Sequence, residues 1–334
     1  MIFRSTHSSN STPPKDAPAP HASAQIFDSA SSLAHAANRL SRAVAHADPT
    51  SHGRHLSRAR GGSNEFFDFR PYVPGDPSHR IDWRLFGRTD RLFLRRFRHE
   101  GRSNTIIVLD ASASMAFAGI DAHPRAESKW SRALVLAAAL AMASARGWDR
   151  AGLVVASDTP AQDIIPPGSG PAHLARILAT LGRSTPSVRS PTGRALAAGL
   201  EAAAALASRD TRVLVLSDAL DDPSTLFASA ASQWQATAGR SFADPGRSQT
   251  AAMRLLQLLT PDEIRPDPSS SFRAVDPESE THATDWTFDS ADPYADALER
   301  HVQDVRTTFE RRGGRHLLTT TAHDPLEQLR WLLG

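Results

Sequence analysis

From residue 104 onward, short continuous apolar runs alternate with longer segments whose apolar positions recur every three or four residues. Four runs have the length of buried strands: TIIVLD at 105–110, AGLVVAS at 151–157, TRVLVLSD at 211–218 and MRLLQLLT at 253–260. Between the first three lie SKWSRALVLAAALAMASARG at 128–147, PAHLARILATLGR at 171–183 and TGRALAAGLEAAAALAS at 192–208, whose spacing predicts helices. A further helix, strand and helix follow in DALERHVQDVRTTFERRGG, RHLLTTT and DPLEQLRWLLG. Strands that are apolar throughout, rather than at alternate positions, are buried on both faces. The pattern therefore predicts an α/β fold with a mostly parallel sheet and helices on both sides.

The first hundred residues read differently. Residues 1–22 are rich in Ser, Pro and Ala without periodicity and are expected to form a disordered tail. Leu33, Ala37, Leu40 and Val44 then recur at helical spacing, predicting a helix near 25–46. Gly61 to Arg102 is dense in arginine, aspartate and aromatics and is broken by Pro71, Pro74, Gly75 and Pro77, so short strands and turns are expected there. Within it, RLFLRRFRHE alternates like an edge strand. Three regions result: the tail, a helix plus arginine-rich β segment over 23–103, and the α/β domain over 104–334. That domain carries insertions near 229–250 and 261–293, the second with a hairpin around SFRAVD. No internal repeat is present.

Composition narrows the classes. The chain has 334 residues, 40% apolar and 22% charged, as a soluble globular protein does. Net charge is only +2, and basicity comes almost wholly from arginine, Lys15 and Lys129 being the only lysines. Without cysteine, disulfides, thiolate metal sites and cysteine nucleophiles are excluded. The polar start lacks the apolar core of a signal peptide, and LVLAAALAMASA at 134–145 is too short for a membrane span, so a cytoplasmic location is expected. No Gly-x-Ser-x-Gly elbow or phosphate-binding loop occurs, and His52, His55, His316 and His323 lack the neighbours that would make them ligands.

The chemistry concentrates in IVLDASASM at 107–115. In open α/β sheets, sites form just past the carboxyl ends of strands. Asp110 ends the first strand, and Ser112 and Ser114 follow at alternate positions, which can bring a carboxylate and two hydroxyls to one side of a tight turn. Thr192, at the start of a helix, and Asp218, at the end of a strand, can add two more oxygens. All are hard donors suited to Mg²⁺ or Mn²⁺. The same short motif would also serve as an ordinary cap or turn, since Asp and Ser favour both.

Asp110, Ser112, Ser114, Thr192 and Asp218 together resemble the metal-ion-dependent adhesion site of von Willebrand factor A domains. Upstream, NEFFDFRPYVPGDPSHRIDWRLFGRTDRLFLRRF resembles the signature of the MoxR-associated von Willebrand factor A-like family, or domain of unknown function 58. The matching positions are Glu65, Phe66, Arg70, Tyr72, Gly75, Asp76, Arg80, Ile81, Asp82, Trp83, Arg88 and Leu92. The resemblance covers roughly 60–330. It implies a von Willebrand factor A-like (Rossmann-like) fold and a non-enzymatic adaptor. Such an adaptor grips an acidic side chain of a client protein through Mg²⁺ and works with a MoxR-type AAA+ ATPase in chaperone-like assembly or maturation.

Two rivals remain at this point. A metal-dependent hydrolase or phosphatase would need a general base or nucleophile beside the metal, and the sequence offers no obvious one. The arginine- and aromatic-rich stretch could instead bind nucleic acid, but interspersed acidic residues favour an internal network. Arg70, Asp76, Arg80 and Asp82 are expected to pair over a buried Trp83, and the same residues are candidates for a partner-facing surface.

Overall fold

The alternating runs assemble into one central sheet. The computed structural model describes residues 2–5, 30–47, 65–73, 78, 81–98, 104–120, 127–147, 149–157, 163–187, 194–208, 211–227, 253–267, 272–275, 283–285 and 291–334. In chain order the elements begin β1 (Ile2–Ser5), α1 (Ala30–Ala47), β2 (Glu65–Pro71), α2 (Trp83–Thr89), β3 (Phe93–Arg98) and β4 (Asn104–Asp110). A 3-10 turn at Ala113–Ala116 leads to α3 (Lys129–Arg146), β5 (Arg150–Ala156), β6 (Asp163–Gly168), α4 (Pro171–Arg183), α5 (Ala195–Leu206) and β7 (Thr211–Ser217). The last elements are β8 (Met253–Leu259), the single turn α6 (Pro261–Ile264), β9 (Phe272–Val275), β10 (Ala283–Asp285), α7 (Ala291–Glu310), β11 (Arg315–Thr320) and α8 (Pro325–Leu333).

The main sheet has six strands in the order β11-β8-β7-β4-β5-β6. All its pairings are parallel except β5–β6. The expected mixed α/β architecture with a mostly parallel sheet is therefore present. Alternate side chains of each strand enter opposite faces: Ile107 and Leu109 join one core, Ile106 and Val108 the other. Helices α3, α4 and α8 cover the first face, while α5 and α7 cover the second. After β4 the chain builds outward through β5 and β6, then returns to the other side of β4 to lay down β7, β8 and β11. The order reverses between β4 and β7, the position at which the loops on two neighbouring strands diverge and leave a crevice.

Of the 18 residues of α3, the buried ones fall on every side of the helix. A helix buried all round needs cover on two sides. The sheet supplies one, and α1 supplies the other with Leu33, Ala37 and Val44, each at most 2% exposed. Arg146 at the end of α3 donates to Asn38 Oδ1 at 2.6 Å and to Ser41 Oγ, which fixes the register of the two helices. Thus α1 belongs with the sheet, and the 23–103 grouping read from the sequence divides between two compact units, residues 1–49 with 103–334 and residues 50–102.

Three further departures have local causes. Strand β6 (DIIPPG) is absent from the sequence reading because Pro166 and Pro167 remove backbone donors. It lies at the sheet edge, where missing donors are tolerated, and its register with β5 shifts between Ala151 and Leu153. Residues 2–5, within the expected disordered tail, pair antiparallel with β9 from Ile2↔Val275 to Ser5↔Phe272; the rest of 1–22 lies outside the described residues. The expected hairpin around SFRAVD is formed by β9 and β10, while the 229–250 insertion lies outside the described residues.

In the smaller unit, β2 and β3 form an antiparallel pair whose register shifts between Phe66 and Asp68. Ile81 and Leu94 are buried and bridge to each other, and Phe69 meets Phe93 edge-on at 6.4 Å. Helix α2 replaces an expected turn. Asp82 caps it by accepting from the N–H groups of Arg84 (2.9 Å) and Leu85 (3.0 Å). Trp83 is 62% exposed, which corrects its expected burial. As the first residue of a short helix it projects away from the unit's small core, and it touches Phe86 edge-on at 6.1 Å. The side chains of Arg70, Asp76 and Arg80 lie outside the described residues. Among the described residues, no helix is long and apolar enough to cross a membrane.

Candidate functional site

The β4–β7 register pairs Leu109 with Leu216, so Asp110 and Ser217 end their strands side by side and Asp218 stands one step beyond. Asp110 and Asp218 are 2% and 1% exposed, at the place where the strand order reverses. Asp110 Oδ1 accepts the Ser112 N–H at 2.9 Å, an Asx-type turn that swings the chain sharply off the strand. Asp110 Oδ2 accepts the Ser217 hydroxyl at 2.5 Å. The 3-10 turn then brings the Ser112 and Ser114 Oγ atoms to 3.0 Å from each other, both buried. Four of the five expected oxygen donors therefore belong to one buried cluster. Thr192 lies outside the described residues; Ser187, at the end of the described stretch before it, donates its N–H to Ala111 O at 2.7 Å.

Two residues that the sequence reading passed over complete the cluster. Lys129, the first residue of α3, is fully buried, and its Nζ donates to Asp218 Oδ2 at 2.7 Å and to Glu263 Oε1 at 2.6 Å. Glu263 Oε2 accepts from the Thr260 N–H at 2.7 Å and from Thr260 Oγ1 at 3.0 Å, making a reciprocal cap on α6. Signals for both were present. Lys129 follows the cap residue Ser128 in a chain that otherwise uses arginine, and TPDE at 260–263 is a capping-box sequence.

Asp218 is also held by its backbone. Its carbonyl accepts from Gln257 Nε2 at 2.9 Å, and the other end of that amide, Oε1, lies 2.8 Å from His316 Nε2. Because the Gln257 nitrogen donates to Asp218, its oxygen must accept from His316, which places the ring proton on Nε2. Ala219 adopts φ 49, a left-handed conformation that costs a non-glycine residue energy. Two contacts hold it there: its N–H donates to Ser217 Oγ at 2.8 Å, and its carbonyl lies 2.7 Å from His301 Nε2. His316 and His323 are engaged with protein partners, His323 Nδ1 accepting the Thr320 N–H at 3.0 Å. His52 and His55 lie outside the described residues.

Burial raises the Asp110 carboxyl from 3.8 to about 7, reinforced by the charge of Asp218 and opposed by hydrogen bonds from Ser217 and Ser112. Burial also works against the Lys129 ammonium, but Asp218 and Glu263 outweigh it and the Lys129 pKa is raised. Asp218 and Glu263 share one ammonium, while Asp110 has only neutral hydrogen-bond donors, so the fully ionised cluster carries an excess of negative charge. Among the described residues no group of three or more His, Cys, Asp or Glu has metal-ligand geometry. Any cation held here would draw on hydroxyls as well as carboxylates. That donor set, hard oxygens around two mutually repelling carboxyls, fits Mg²⁺ or Mn²⁺.

Residues 68–279 match the family model described as "Protein of unknown function DUF58". The uncharacterized protein Rv1480 of Mycobacterium tuberculosis and its counterpart Mb1516 of Mycobacterium bovis are each 28% identical over 176 residues, 52% of this chain and 52% of theirs. The chain thus spans about half the length of the curated relatives it matches. The crystal structure of the conserved hypothetical protein BatB from Bacteroides thetaiotaomicron aligns with a TM-score of 0.42 at 16% identity, covering 69% of this chain and 97% of that one.

Proposed function

The chain belongs to the DUF58 family of proteins of unknown function, and from that premise we propose that it is a metal-dependent protein-binding adaptor with a von Willebrand factor A-like sheet. One observation carries the reading: two carboxylates and two hydroxyls are buried together past the carboxyl ends of β4 and β7, where the strand order reverses. Asp110, Ser112, Ser114, Thr192 and Asp218 would hold Mg²⁺ or Mn²⁺ directly or through water. The ion supplies a Lewis-acidic position able to accept a carboxylate from a client protein. The protein's own work is to fix the oxygens. Asp110 is oriented by Ser112 and Ser217, and Asp218 by Lys129 and Gln257.

Binding is favoured over hydrolysis because each carboxylate of the cluster already has a role: Asp110 and Asp218 would hold the ion, and Glu263 pairs with Lys129 and caps α6. In this reading the ATPase partner is of the MoxR type. Its contact surface includes the exposed Trp83, with Arg70, Asp76 and Arg80 as further candidates, while Asp82 serves the cap of α2. The test is a pull-down of the ATPase and a client with and without Mg²⁺, comparing wild type with Asp110→Ala. Recovery should require both the ion and Asp110. Equal recovery in all four conditions would exclude a metal-bridged contact.

A further inference from the structure

The two aspartates of the site differ in what holds their oxygens. Asp110 commits Oδ1 to the Ser112 N–H and Oδ2 to the Ser217 hydroxyl. Asp218 commits Oδ2 to Lys129. Of these partners only Lys129 is a full charge, and it is the least able to leave. Its Nζ is wholly buried between two carboxylates, 6.0 Å from the centre of the Phe117 ring. Its backbone N–H donates to Phe117 O at 3.1 Å, which anchors the start of α3 over the 3-10 turn. Glu263, which shares the ammonium, is itself pinned by the Thr260 N–H and hydroxyl. A neutral donor leaves an oxygen a second lone pair, so Asp110 can still ligate; the ammonium on Asp218 Oδ2 instead repels a cation and directs an ion beside Asp218 to Oδ1.

Cations differ in what they need from such a carboxylate. Ca²⁺ takes a large, flexible set of oxygens and often grips a carboxylate through both, whereas Mg²⁺ is smaller, octahedral, content with single-oxygen ligation and retains waters. We propose that Lys129 is the specificity-determining residue of the cation site. It restricts Asp218 to one ligating oxygen, so the site takes Mg²⁺ or Mn²⁺ and rejects Ca²⁺; Glu263 sets how much of the ammonium Asp218 receives. This rests on the metal reading above.

Calorimetric titration of the chelator-treated full chain with MgCl₂, MnCl₂ and CaCl₂ tests it on wild type, Lys129→Met and Glu263→Gln. Wild type should bind Mg²⁺ and Mn²⁺ more tightly than Ca²⁺. Lys129→Met should shift the preference toward Ca²⁺ by about tenfold, as the second Asp218 oxygen becomes available. Glu263→Gln should keep the preference but weaken Mg²⁺ several-fold, because the ammonium then belongs to Asp218 alone. If Lys129→Met lowers the melting temperature but keeps the wild-type ion ratio, Lys129 is only a structural brace and the proposal fails. Should that variant not fold, Glu263→Gln decides, and an unchanged Mg²⁺ affinity overturns the proposal. Wild type binding all three ions equally overturns it too. Wild type binding none removes the metal reading and the inference together, an outcome distinct from variants that bind as wild type does.

Discussion

Asp110 and Lys129 show what burial does to charge when partners are few. Asp110 has hydrogen bonds but no cation, so burial and the Asp218 charge push its carboxyl up to about 7. A carboxyl that binds its proton more tightly in the folded chain contributes stability that is complete below its unfolded value of 3.8 and is lost as pH rises through about 7. Urea unfolding of the metal-free protein should therefore show wild type losing stability between these limits relative to Asp110→Asn, by at most a few kcal/mol. The two proteins sharing one pH slope would locate the effect elsewhere. A divalent ion at the proposed site would compete with the same proton, so Mg²⁺ affinity in wild type should strengthen with rising pH and level off above about 7. At this scale the sequence was half legible. The alternation Asp110-Ser112-Ser114 and the strand-terminal Asp218 can be read from spacing. Lys129 and Glu263 lie 134 positions apart and meet only through tertiary folding, so no local pattern pairs them.

Among the elements, the strongly periodic ones were legible and the short ones were not. Four buried strands and the long helices announce themselves through apolar runs and spacing. β6 does not, because its two prolines mimic a loop. Nor does α2, whose Asp82 cap sits among residues that read as turn formers. Helix packing at the site depends on close approach. At Gly199 of α5, an added Cβ would lie 2.4 Å from the Ala156 Cβ and 3.2 Å from Val108. Gly199→Val should cost about 1–3 kcal/mol by overpacking, measured by denaturant unfolding, and it should displace the start of α5, which follows the Thr192 segment. Leu33→Ala in α1, at a position 1% exposed, should cost about 2–5 kcal/mol. A loss well under 1 kcal/mol would mean that α1 contributes little to the cover of α3.

For the molecule as a whole, the sequence conveys a mostly parallel sheet with helices on both faces, and the order β11-β8-β7-β4-β5-β6 explains why the two aspartates meet: Asp110 ends one of the two strands that flank the reversal and Asp218 directly follows the other. Strand order itself is not written in local patterns, since each run is compatible with several neighbours. The grouping of α1 with the sheet is not legible in the sequence for a similar reason. α1 is amphipathic, but nothing in its own sequence says that α3 lies under it. Trp83 belongs to this scale as well. A large apolar side chain 62% exposed on a separate unit adds nothing to a core, so Trp83→Ala should leave thermal stability nearly unchanged while weakening recovery of the proposed ATPase partner. Loss of stability without loss of recovery would give Trp83 a structural role instead.

The placement of α1 also orders the events of folding. It is made before the 50–102 unit and well before α3, yet α3 is the surface it covers. During synthesis it must wait, with Leu33, Ala37 and Val44 uncovered, until residues 129–146 have emerged and joined the sheet. Closing that contact brings together segments separated by a complete smaller unit, and such long-range closure is slow. The interval leaves an amphipathic helix and an apolar partner both exposed, the kind of species that aggregates when closure is delayed.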